Sequence, residues 1–368
     1  MATQLARSRS KRVTLADVAA AAGVSVATAS VAITGRRSGN CRVSPAVAEK
    51  IRRTAALLKY RPNLQARNLS TQRTRTIALL IKRAAWHNAM FYLSSAQRVL
   101  REHGYGETVM LHPGDYADSE RAHIDLCIER QVEGVIAIPL IDLDGKANVE
   151  AFNRLYQEEG IPVVQLGLAL EGCVAPSIVT DEIGGIAQAV RLLHAMGHRR
   201  IAYATYKGYE DPAPLNAFRV AHLRYLGYQQ SMRELGLEEQ VFAAAEQCTS
   251  FNLMYDQAVE LAQRIASRGA DRPTAIIAFS DFTAAGLIAG LADAGIALPQ
   301  QMSIIAVGDQ PFGRMLRPAL TTLSPQFERM GELATQTLLK MIDGGEGASA
   351  AVLPSLVMRD SIAELRAS

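Results

Sequence analysis

The sequence predicts an α/β protein, with an N-terminal helix-turn-helix headpiece and a core of two doubly wound α/β lobes. Two short helical patterns separated by a glycine predict the headpiece. Beyond residue 76, apolar strand-like runs alternate with helical segments, and their number indicates two parallel sheets covered by helices on both faces. Residues 1–76 carry 15 Lys and Arg and two acidic residues, a net charge of +13, and the remainder carries −10. A basic module on an acidic body is typical of proteins that bind the phosphate backbone of nucleic acids.

The headpiece begins with the helix-turn-helix pattern. Apolar residues of the first helix repeat at helical spacing and predict a buried face: Leu15, Val18, Ala19 and Ala22. Gly23 allows the left-handed conformation that ends this helix, and Ser25 can cap a second helix of small residues over 26–33. An alanine-rich hairpin in a protein core would show the same pattern. The surrounding positive charge favours a helix-turn-helix whose second helix lies in the DNA major groove.

The rest of the N-terminal region predicts three further parts. Residues 1–12 form a basic arm, and a third helix begins at the capping residue Ser44 with Pro45 in its first position. Pro62 ends that helical pattern, and 63–70 can form a short hinge helix that needs DNA or a packing partner. A plain polar linker is the alternative. The predicted domains are a headpiece over 1–60, a hinge helix and linker over 61–75, and a core over 76–368.

Composition argues against several classes of protein. A length of 368 residues suffices for two or three domains. The four cysteines lie far apart without a CxxC pair, so neither a zinc site nor a disulfide framework is indicated. The N-terminus is polar and basic, and no apolar run approaches the length of a membrane span, so we expect a cytoplasmic protein.

Strands and helices are predicted to alternate through the core. The predicted strands are 77–81, 132–138, 161–166, 201–205, 241–245, 275–279, 303–307 and 355–358. The predicted helices are 90–103, 149–159, 182–196, 215–235, 253–268, 283–294 and 326–342. Ligands in such folds bind at the carboxyl ends of the strands. A cleft between the two lobes is therefore the expected ligand site.

Several motifs carry a family resemblance that extends over nearly the whole chain. They are VTLADVAAAAGVSVATAS, RVSPAVAEKI, YRPNLQARNL, HAMGHRRIAYAT, AFSDFTAAG, LPQQMSIIAVGD and LPSLVMRDS. In order and spacing they resemble the lactose-repressor/galactose-repressor family of bacterial transcription regulators. The resemblance implies a core like that of periplasmic sugar-binding proteins. Its lobe 1 would cover about 76–177 and 325–352, and its lobe 2 about 178–322 and 353–368.

The resemblance also implies a function. The expected protein is a sequence-specific regulator, more commonly a repressor, that binds a near-palindromic operator in double-stranded DNA on the nucleoid as a homodimer. A small-molecule effector, a sugar or sugar derivative, would bind in the inter-lobe cleft and change the affinity for DNA, and no cofactor is implied. The chain ends soon after the last predicted strand without room for a heptad coiled coil, so a dimer is expected rather than a tetramer. The alternative is a DNA-binding regulator with a non-sugar effector or with no effector control.

DNA contacts can be assigned from the same resemblance. The base-reading positions of the second helix fall on Val26, Ala27 and Val31, which cannot make the bidentate hydrogen bonds that read guanine or adenine. Specificity then depends on nearby polar residues, the hinge and DNA shape. In the hinge, Leu69 is expected to wedge into the minor groove, with Ala66 beside it. The predicted DNA-binding residues are Thr14, Ser25, Val26, Ala27, Thr28, Ser30, Val31, Thr34, Arg36, Arg37, Tyr60, Asn63, Ala66, Arg67 and Leu69.

Effector-binding residues are assigned in the same way. They are Trp86, Phe91, Tyr92, Arg224, Ser280, Asp281 and Asp309. Arg224 and Asp281 match the family's ligand-binding positions, whereas Ser280 replaces an Asn and Gly308 an Asp. The aromatic residues suit a sugar ring or a flat base equally well. The alternatives are an exposed helix charge for Arg224, core or dimer packing for Trp86 and Phe91, and stabilisation of a turn for Asp309.

An enzymatic reaction is not indicated. The sequence contains no HExxH, GxSxG, Walker or GxGxxG motif of the kind that marks a catalytic or nucleotide-binding site. His194 and His198 have a metal-like spacing, but a capping role at the end of a helix is favoured. We therefore predict that the protein is not an enzyme and holds no metal.

Overall fold

The computed structural model describes residues 13–34, 43–61, 73–82, 86–112, 117–140, 147–211, 219–246 and 250–365. The chain divides into two compact units, Met1–Thr74 and Arg75–Ser368. Some predicted DNA-binding residues lie outside the described residues: Arg36, Arg37, Asn63, Ala66, Arg67 and Leu69. Their assignment, including the hinge helix, stays a prediction.

Three helices are described in the first unit: α1 Leu15–Ala22, α2 Val26–Thr34 and α3 Pro45–Leu57. Thr14 and Asp17 form a capping box at the start of α1, and Gly23 ends it with a φ of 68°. Ser44 caps α3 by accepting a hydrogen bond from the Val47 N–H at 3.4 Å. None of the described helices is long and apolar enough to cross a membrane alone. Together α1 and α2 would be long and apolar enough, but they are bent by 104° relative to each other. That bend lies in the range of helix-turn-helix motifs.

A small core joins these three helices. Val18, Ala22, Ala29 and Ile51 are completely buried within it. Because alanine side chains are short, α1 and α2 can approach closely around Ala22 and Ala29. The predicted helix-turn-helix is therefore a packed three-helix unit.

Strands and helices alternate through the second unit. Its strands are β1 Thr76–Lys82, β2 Gly106–His112, β3 Gly134–Ala137, β4 Val163–Leu166, β5 Ser177–Thr180, β6 Ile201–Tyr206, β7 Gln240–Ala244, β8 Ala275–Ala278, β9 Ser303–Val307, β10 Thr321–Ser324, β11 Ala350–Val352 and β12 Ser355–Val357. Its α-helices are α4 Trp86–Glu102, α5 Ala117–Glu129, α6 Val149–Gln157, α7 Glu182–Ala195, α8 Arg219–Glu234, α9 Phe251–Ala266, α10 Asp281–Asp293 and α11 Phe327–Ile342. In the part of this unit that the structure describes, short 3-10 helices cover Gly269–Asp271 and Pro311–Arg314.

Two six-stranded sheets form the lobes. The strand order is β11-β5-β4-β3-β1-β2 in the first lobe and β12-β10-β9-β8-β6-β7 in the second. Neighbouring strands are parallel, except that β12 runs antiparallel to β10. The predicted fold class of two doubly wound α/β lobes is confirmed.

Both faces of each sheet are covered, as the apolar strands predict. In β1, Ile77 and Leu79 pack in one core cluster with residues of α4 and α11, while Ala78 and Leu80 pack in another with residues of α5 and α6. Side chains alternate across a strand, so a run of apolar residues fills both cores at once.

Three connections lead from one sheet to the other. They follow β5, β10 and β11. The first of these connections begins after Thr180, the last residue of β5. The predicted end of lobe 1 at residue 177 therefore falls three residues too early, on the first residue of β5. The lobe limits otherwise stay a prediction.

Candidate DNA interface and effector site

The first turn of α2 is exposed. Val26 is 49% exposed, and Ala27 is exposed as well. Ala29 and Ala32 lie on the opposite, buried face. The half-buried residues between these faces are Thr28, Ser30 and Val31. Of the predicted base-reading residues, Val26 and Ala27 are thus exposed and Val31 is half-buried, and their role in DNA binding stays a prediction.

Polar side chains at the start of α2 form the helix cap. The Thr28 N–H donates to Ser25 Oγ at 3.1 Å, and the two hydroxyl oxygens lie 2.8 Å apart. This cap satisfies one of the free amide hydrogens of the first turn. The hydroxyl groups of both residues are thus engaged in holding the helix end.

The remaining described residues of the predicted DNA interface have varied surroundings. Thr14 Oγ1 donates to Asp17 Oδ2 at 2.8 Å within the capping box of α1. Tyr60 is half-buried and packs against the headpiece core. Thr34 is the last residue of α2, and its side chain lies outside the described residues.

Several cations of the headpiece are exposed. Lys50, Lys59 and Arg61 are among them. Arg53 binds Glu49 through its Nε at 3.2 Å, with both side chains more than half exposed. Exposed cations of this kind are suited to contacts with DNA phosphates.

In the core, Arg224 is buried, which contradicts the alternative of an exposed helix charge. It projects from α8 and is 8% exposed. Its Nε and Nη2 donate to Glu182 at 2.6 and 3.3 Å, and its Nη1 donates to the Phe279 carbonyl at 2.5 Å. Burial by itself lowers the pKa of Arg224, but the charge and hydrogen bonds of Glu182 raise it above its ordinary value. The predicted ligand-binding cation thus forms a buried, bidentate ion pair with another element of the core.

Asp281 lies at the start of α10 and is almost completely buried. Its carboxylate accepts hydrogen bonds from the Gln310 N–H at 2.5 Å and from Thr322 Oγ1 at 2.7 Å. Burial raises the pKa of Asp281 to about 6, and these hydrogen bonds offset part of the rise. Asp281 therefore fastens the segment after β9 to the start of β10.

Asp309 binds Arg359 rather than pointing freely into the cleft. Its Oδ1 accepts from Arg359 Nη2 at 2.5 Å, and its backbone is left-handed with a φ of 56°. The preceding Gly308 has a φ of 150°, and a Cβ there would lie 3.1 Å from Asp281 Oδ2. An Asp at 308 would bring another carboxylate against Asp281. The absence of that carboxylate from the sequence therefore matches the packing.

Ser280 also has a structural contact. Its Oγ accepts from the Thr283 N–H at 3.2 Å and caps α10. This use resembles that of Ser25 in the headpiece. It places Ser280 beside Asp281, as predicted, with its oxygen turned to the helix end.

Phe91 and Tyr92 belong to an aromatic cluster of the first lobe. The rings of Phe91 and Phe327 stack with centroids 6.1 Å apart, and Tyr92 meets Phe327 edge-on at 5.1 Å. Burial, and to a smaller extent the charge of Glu182, raises the pKa of the Tyr92 phenol. The side chain of Trp86 lies outside the described residues. Phe91 is half-buried in this cluster and Tyr92 is buried, and the assignment of both to the effector site stays a prediction.

One hydrogen bond joins the two lobes across the predicted site. Gln310 Nε2, after β9 of the second lobe, donates to Asn88 Oδ1 on α4 of the first lobe at 2.9 Å. Since the Gln310 backbone also binds Asp281, the two lobes and the buried carboxylate form one connected network. Sequence patterns had indicated neither Asn88 nor Gln310.

Other partners were also absent from the sequence-based prediction. Glu182, Arg359 and Phe327 contact predicted site residues, yet each stands far from its partner in the chain. His198, considered for its metal-like spacing, is buried between Thr274 Oγ1 and the Ala363 carbonyl. Over the described ranges, no cluster of three His, Cys, Asp or Glu residues could hold a metal ion.

Comparisons with known proteins agree with this architecture. A model of the lacI family of bacterial regulatory proteins matches residues 14–63, and a periplasmic binding protein-like domain matches residues 190–362. The HTH-type transcriptional regulator GalS of Salmonella typhimurium is 28% identical over 359 residues, which cover 95% of this chain and 97% of GalS.

Two solved structures share the fold. The Lac repressor dimer bound to operator and the anti-inducer ONPF has a TM-score of 0.76 at 21% identity, covering 96% of this chain and all of that one. The complex of the transcriptional regulator CelR with cellobiose has a TM-score of 0.63 at 24% identity. The match covers 95% of this chain and 100% of the CelR chain. The headpiece and the two-lobed core thus occur together in these proteins, in the same order.

Proposed function

Because this chain belongs to the lacI family of bacterial regulatory proteins, we propose that it represses transcription as a homodimer on a near-palindromic operator, controlled by a small molecule. The observation that carries the proposal is the combination of a helix-turn-helix headpiece with a two-lobed core, over the same length as GalS. We assign this DNA-binding regulator a site of action on the nucleoid in the cytoplasm, and no catalytic role.

In the proposed complex, the headpiece supplies the DNA contacts. Helix α2 lies in the major groove with its exposed first turn toward the bases, and a two-fold dimer places two such helices about one helical turn apart. Leu69 of the hinge enters the minor groove, since an apolar wedge there kinks the duplex. Exposed cations such as Lys50 and Lys59 bind phosphates, which makes the affinity fall steeply with salt.

We place the effector between the lobes, beside the Asn88–Gln310 hydrogen bond. In this proposal Arg224 and Asp281 contact the ligand from the second lobe, and the aromatic cluster around Phe91 contacts it from the first. A ligand that binds there can change DNA affinity only if it has different affinities for two arrangements of the lobes. The hydrogen bond between Asn88 and Gln310 would be present in one arrangement of the lobes and absent from the other. The CelR complex with cellobiose supports a sugar or sugar derivative as the ligand.

A second candidate is a regulator with a non-sugar effector or with no effector control. The observation that favours this candidate concerns the three charged residues that the family resemblance assigns to ligand binding. Each of them already binds another residue of this protein. Arg224 binds Glu182, Asp281 binds Thr322, and Asp309 binds Arg359. A sugar hydroxyl would have to share these groups with their protein partners.

Two experiments test these proposals. Selection of operators from random double-stranded DNA at physiological salt should enrich a two-fold symmetric motif, and its absence would contradict the regulator. A thermal-shift screen against sugars, sugar phosphates, polyols, nucleosides and purine bases tests the effector. A ligand at a hundred times its Kd stabilises the native state by about 2.7 kcal/mol. A sugar that raises the Tm supports the first candidate, and no shift with any compound supports control without effector.

A further inference from the structure

The polar residues of α2 are limited to Thr28, Ser30 and Thr34. The helix consists of VATASVAIT and contains no charged or amide side chain. Of its residues, Val26 and Ala27 stand exposed in the first turn, where recognition helices contact base edges. Purines are read in the major groove mainly by Arg, Lys, Asn and Gln, all of which are absent from α2.

The hydroxyl groups nearby are held by the helix end. Ser25 Oγ accepts from the Thr28 N–H, and it lies 2.8 Å from Thr28 Oγ1. The bond from the Thr28 N–H to Ser25 Oγ caps the helix, and such caps contribute about 1 kcal/mol in similar helices. The residues of the first turn that stand exposed, Val26 and Ala27, present only methyl groups to base edges.

On the basis of the proposed function, we propose that this headpiece reads its operator through the C5-methyl groups of thymine, with Val26 and Ala27 as the specificity-determining residues. Thymine is the one base that presents an apolar group in the major groove. Both side chains can bury such a methyl without leaving a polar group unpaired. Val26 and Ala27 would also disfavour a base that presents only hydrogen-bond donors and acceptors in the major groove. The polar groups of such a base would lose their water without gaining a hydrogen-bond partner.

The exposure of Val26 makes the inference testable without damage to the fold. Its side chain lies outside the headpiece core, which is formed by Val18, Ala22 and their neighbours. Val26→Ala therefore removes apolar contact surface and leaves the helix pattern intact. Leu57→Ala is the matched control, since Leu57 is also an apolar residue exposed in this unit.

The experiment uses the full-length protein and the operator obtained by selection. Each thymine of one half-site is replaced in turn by uracil, which removes only the methyl group, and Kd is measured at fixed salt. At the position facing Val26, uracil should weaken binding by about fourfold, the equivalent of one buried methyl group. In Val26→Ala the thymine and uracil operators should differ by less than twofold, whereas Leu57→Ala should keep the full ratio.

A rescue with a modified base distinguishes methyl contact from reading of the purine. A C·G pair at the sensitive position should bind as weakly as the uracil operator or more weakly. A 5-methylcytosine·G pair restores the methyl in the major groove while keeping the changed purine, and should recover most of the affinity lost with C·G.

Three results would overturn the inference while the regulator stands: uracil operators that all bind like the parent, a uracil penalty unchanged in both Val26→Ala and Ala27→Gly, or no recovery with 5-methylcytosine. A selection that yields no motif would instead contradict the proposed function itself. The uracil and 5-methylcytosine measurements use the wild-type chain, so they decide the question even if a variant fails to fold.

Discussion

Charged side chains are arranged differently in the headpiece and in the core. The Arg53–Glu49 pair of the headpiece exposes 78% and 55% of its side chains, whereas the Arg224–Glu182 pair of the core exposes 10% and 9%. Both pairs join a guanidinium to a carboxylate. Water screens the first, but an unpaired charge in the second would be costly, because its desolvation would be uncompensated. The headpiece thus keeps its cations accessible to DNA phosphates, while the core commits the charges of Arg224 and Glu182 to each other.

Breaking the buried pair should have the largest effect. Glu182→Gln keeps the size of the side chain but leaves Arg224 charged and without its anionic partner. We expect the free energy of unfolding to fall by about 3 kcal/mol, as for other buried pairs that lose one member. Urea unfolding followed by circular dichroism measures this loss.

The control for this variant is an exposed pair in the same lobe. Arg191 and Glu234 approach to 3.7 Å with both side chains more than half exposed. Glu234→Gln should change the free energy of unfolding by less than about 0.5 kcal/mol. Equal losses in Glu182→Gln and Glu234→Gln would show that burial does not distinguish the pairs.

Asp281 gives the next largest effect, and it depends on pH. The folded protein raises its pKa from an ordinary value of 3.8 to about 6, mainly through burial. Between these values the folded state retains a proton that the unfolded state has lost. This contribution to stability is therefore complete below about pH 4 and disappears as the pH rises through 6.

Asp281→Asn isolates that contribution. The difference in unfolding free energy, wild type minus variant, should decrease by about 2–3 kcal/mol between pH 4 and pH 7. Urea unfolding at intervals of half a pH unit measures it, and the variant cancels the titration of all other groups. A difference that stays constant, or increases with pH, would contradict the raised pKa.

Local signals in the sequence were sufficient to predict much of the fold. Gly23, the Ser44 cap and the periodicity of the apolar residues indicated the three headpiece helices, and apolar runs indicated most central strands. The elements absent from the prediction were β2, α5, β5, β10 and β11. In β2, Val109 and Leu111 are exposed beside polar residues, so the run lacks the continuous apolar character of a central strand. Helix α5 is largely polar, and its apolar stripe is narrow.

The contacts within the candidate site could not be predicted from the sequence. Arg224 and Asp281 were predicted from their resemblance to a family pattern, but their contacts were not. Glu182 lies 42 residues before Arg224, and Gln310 lies 29 residues after Asp281. These pairs depend on which strand ends meet after folding, and no local periodicity encodes that. The sequence alone therefore leaves an exposed Arg224 open as an alternative.

The hydrogen bond between the lobes should have a smaller effect than the buried charges. Gln310 Nε2 and Asn88 Oδ1 are neutral, so their bond should contribute about 1 kcal/mol. A double-mutant cycle with Asn88→Ala and Gln310→Ala measures the coupling in urea unfolding. The backbone N–H of Gln310 still binds Asp281 in the variant. Effects that add within about 0.3 kcal/mol would mean that the bond does not link the lobes energetically.

The smallest effect is expected in the headpiece. Glu49 lies between two cations, with Arg53 Nε at 3.2 Å and Arg52 Nη1 at 3.9 Å, and all three side chains are mostly exposed. Glu49→Gln should change the free energy of unfolding by less than about 0.5 kcal/mol, and the change should shrink in 1 M salt, where the Debye length is about 3 Å. Thermal unfolding at low and high salt measures both quantities. If Glu49→Gln lowered the free energy of unfolding as much as Glu182→Gln does, exposed and buried ion pairs would contribute equally to stability. Burial would then not distinguish the ion pairs of the headpiece from those of the core.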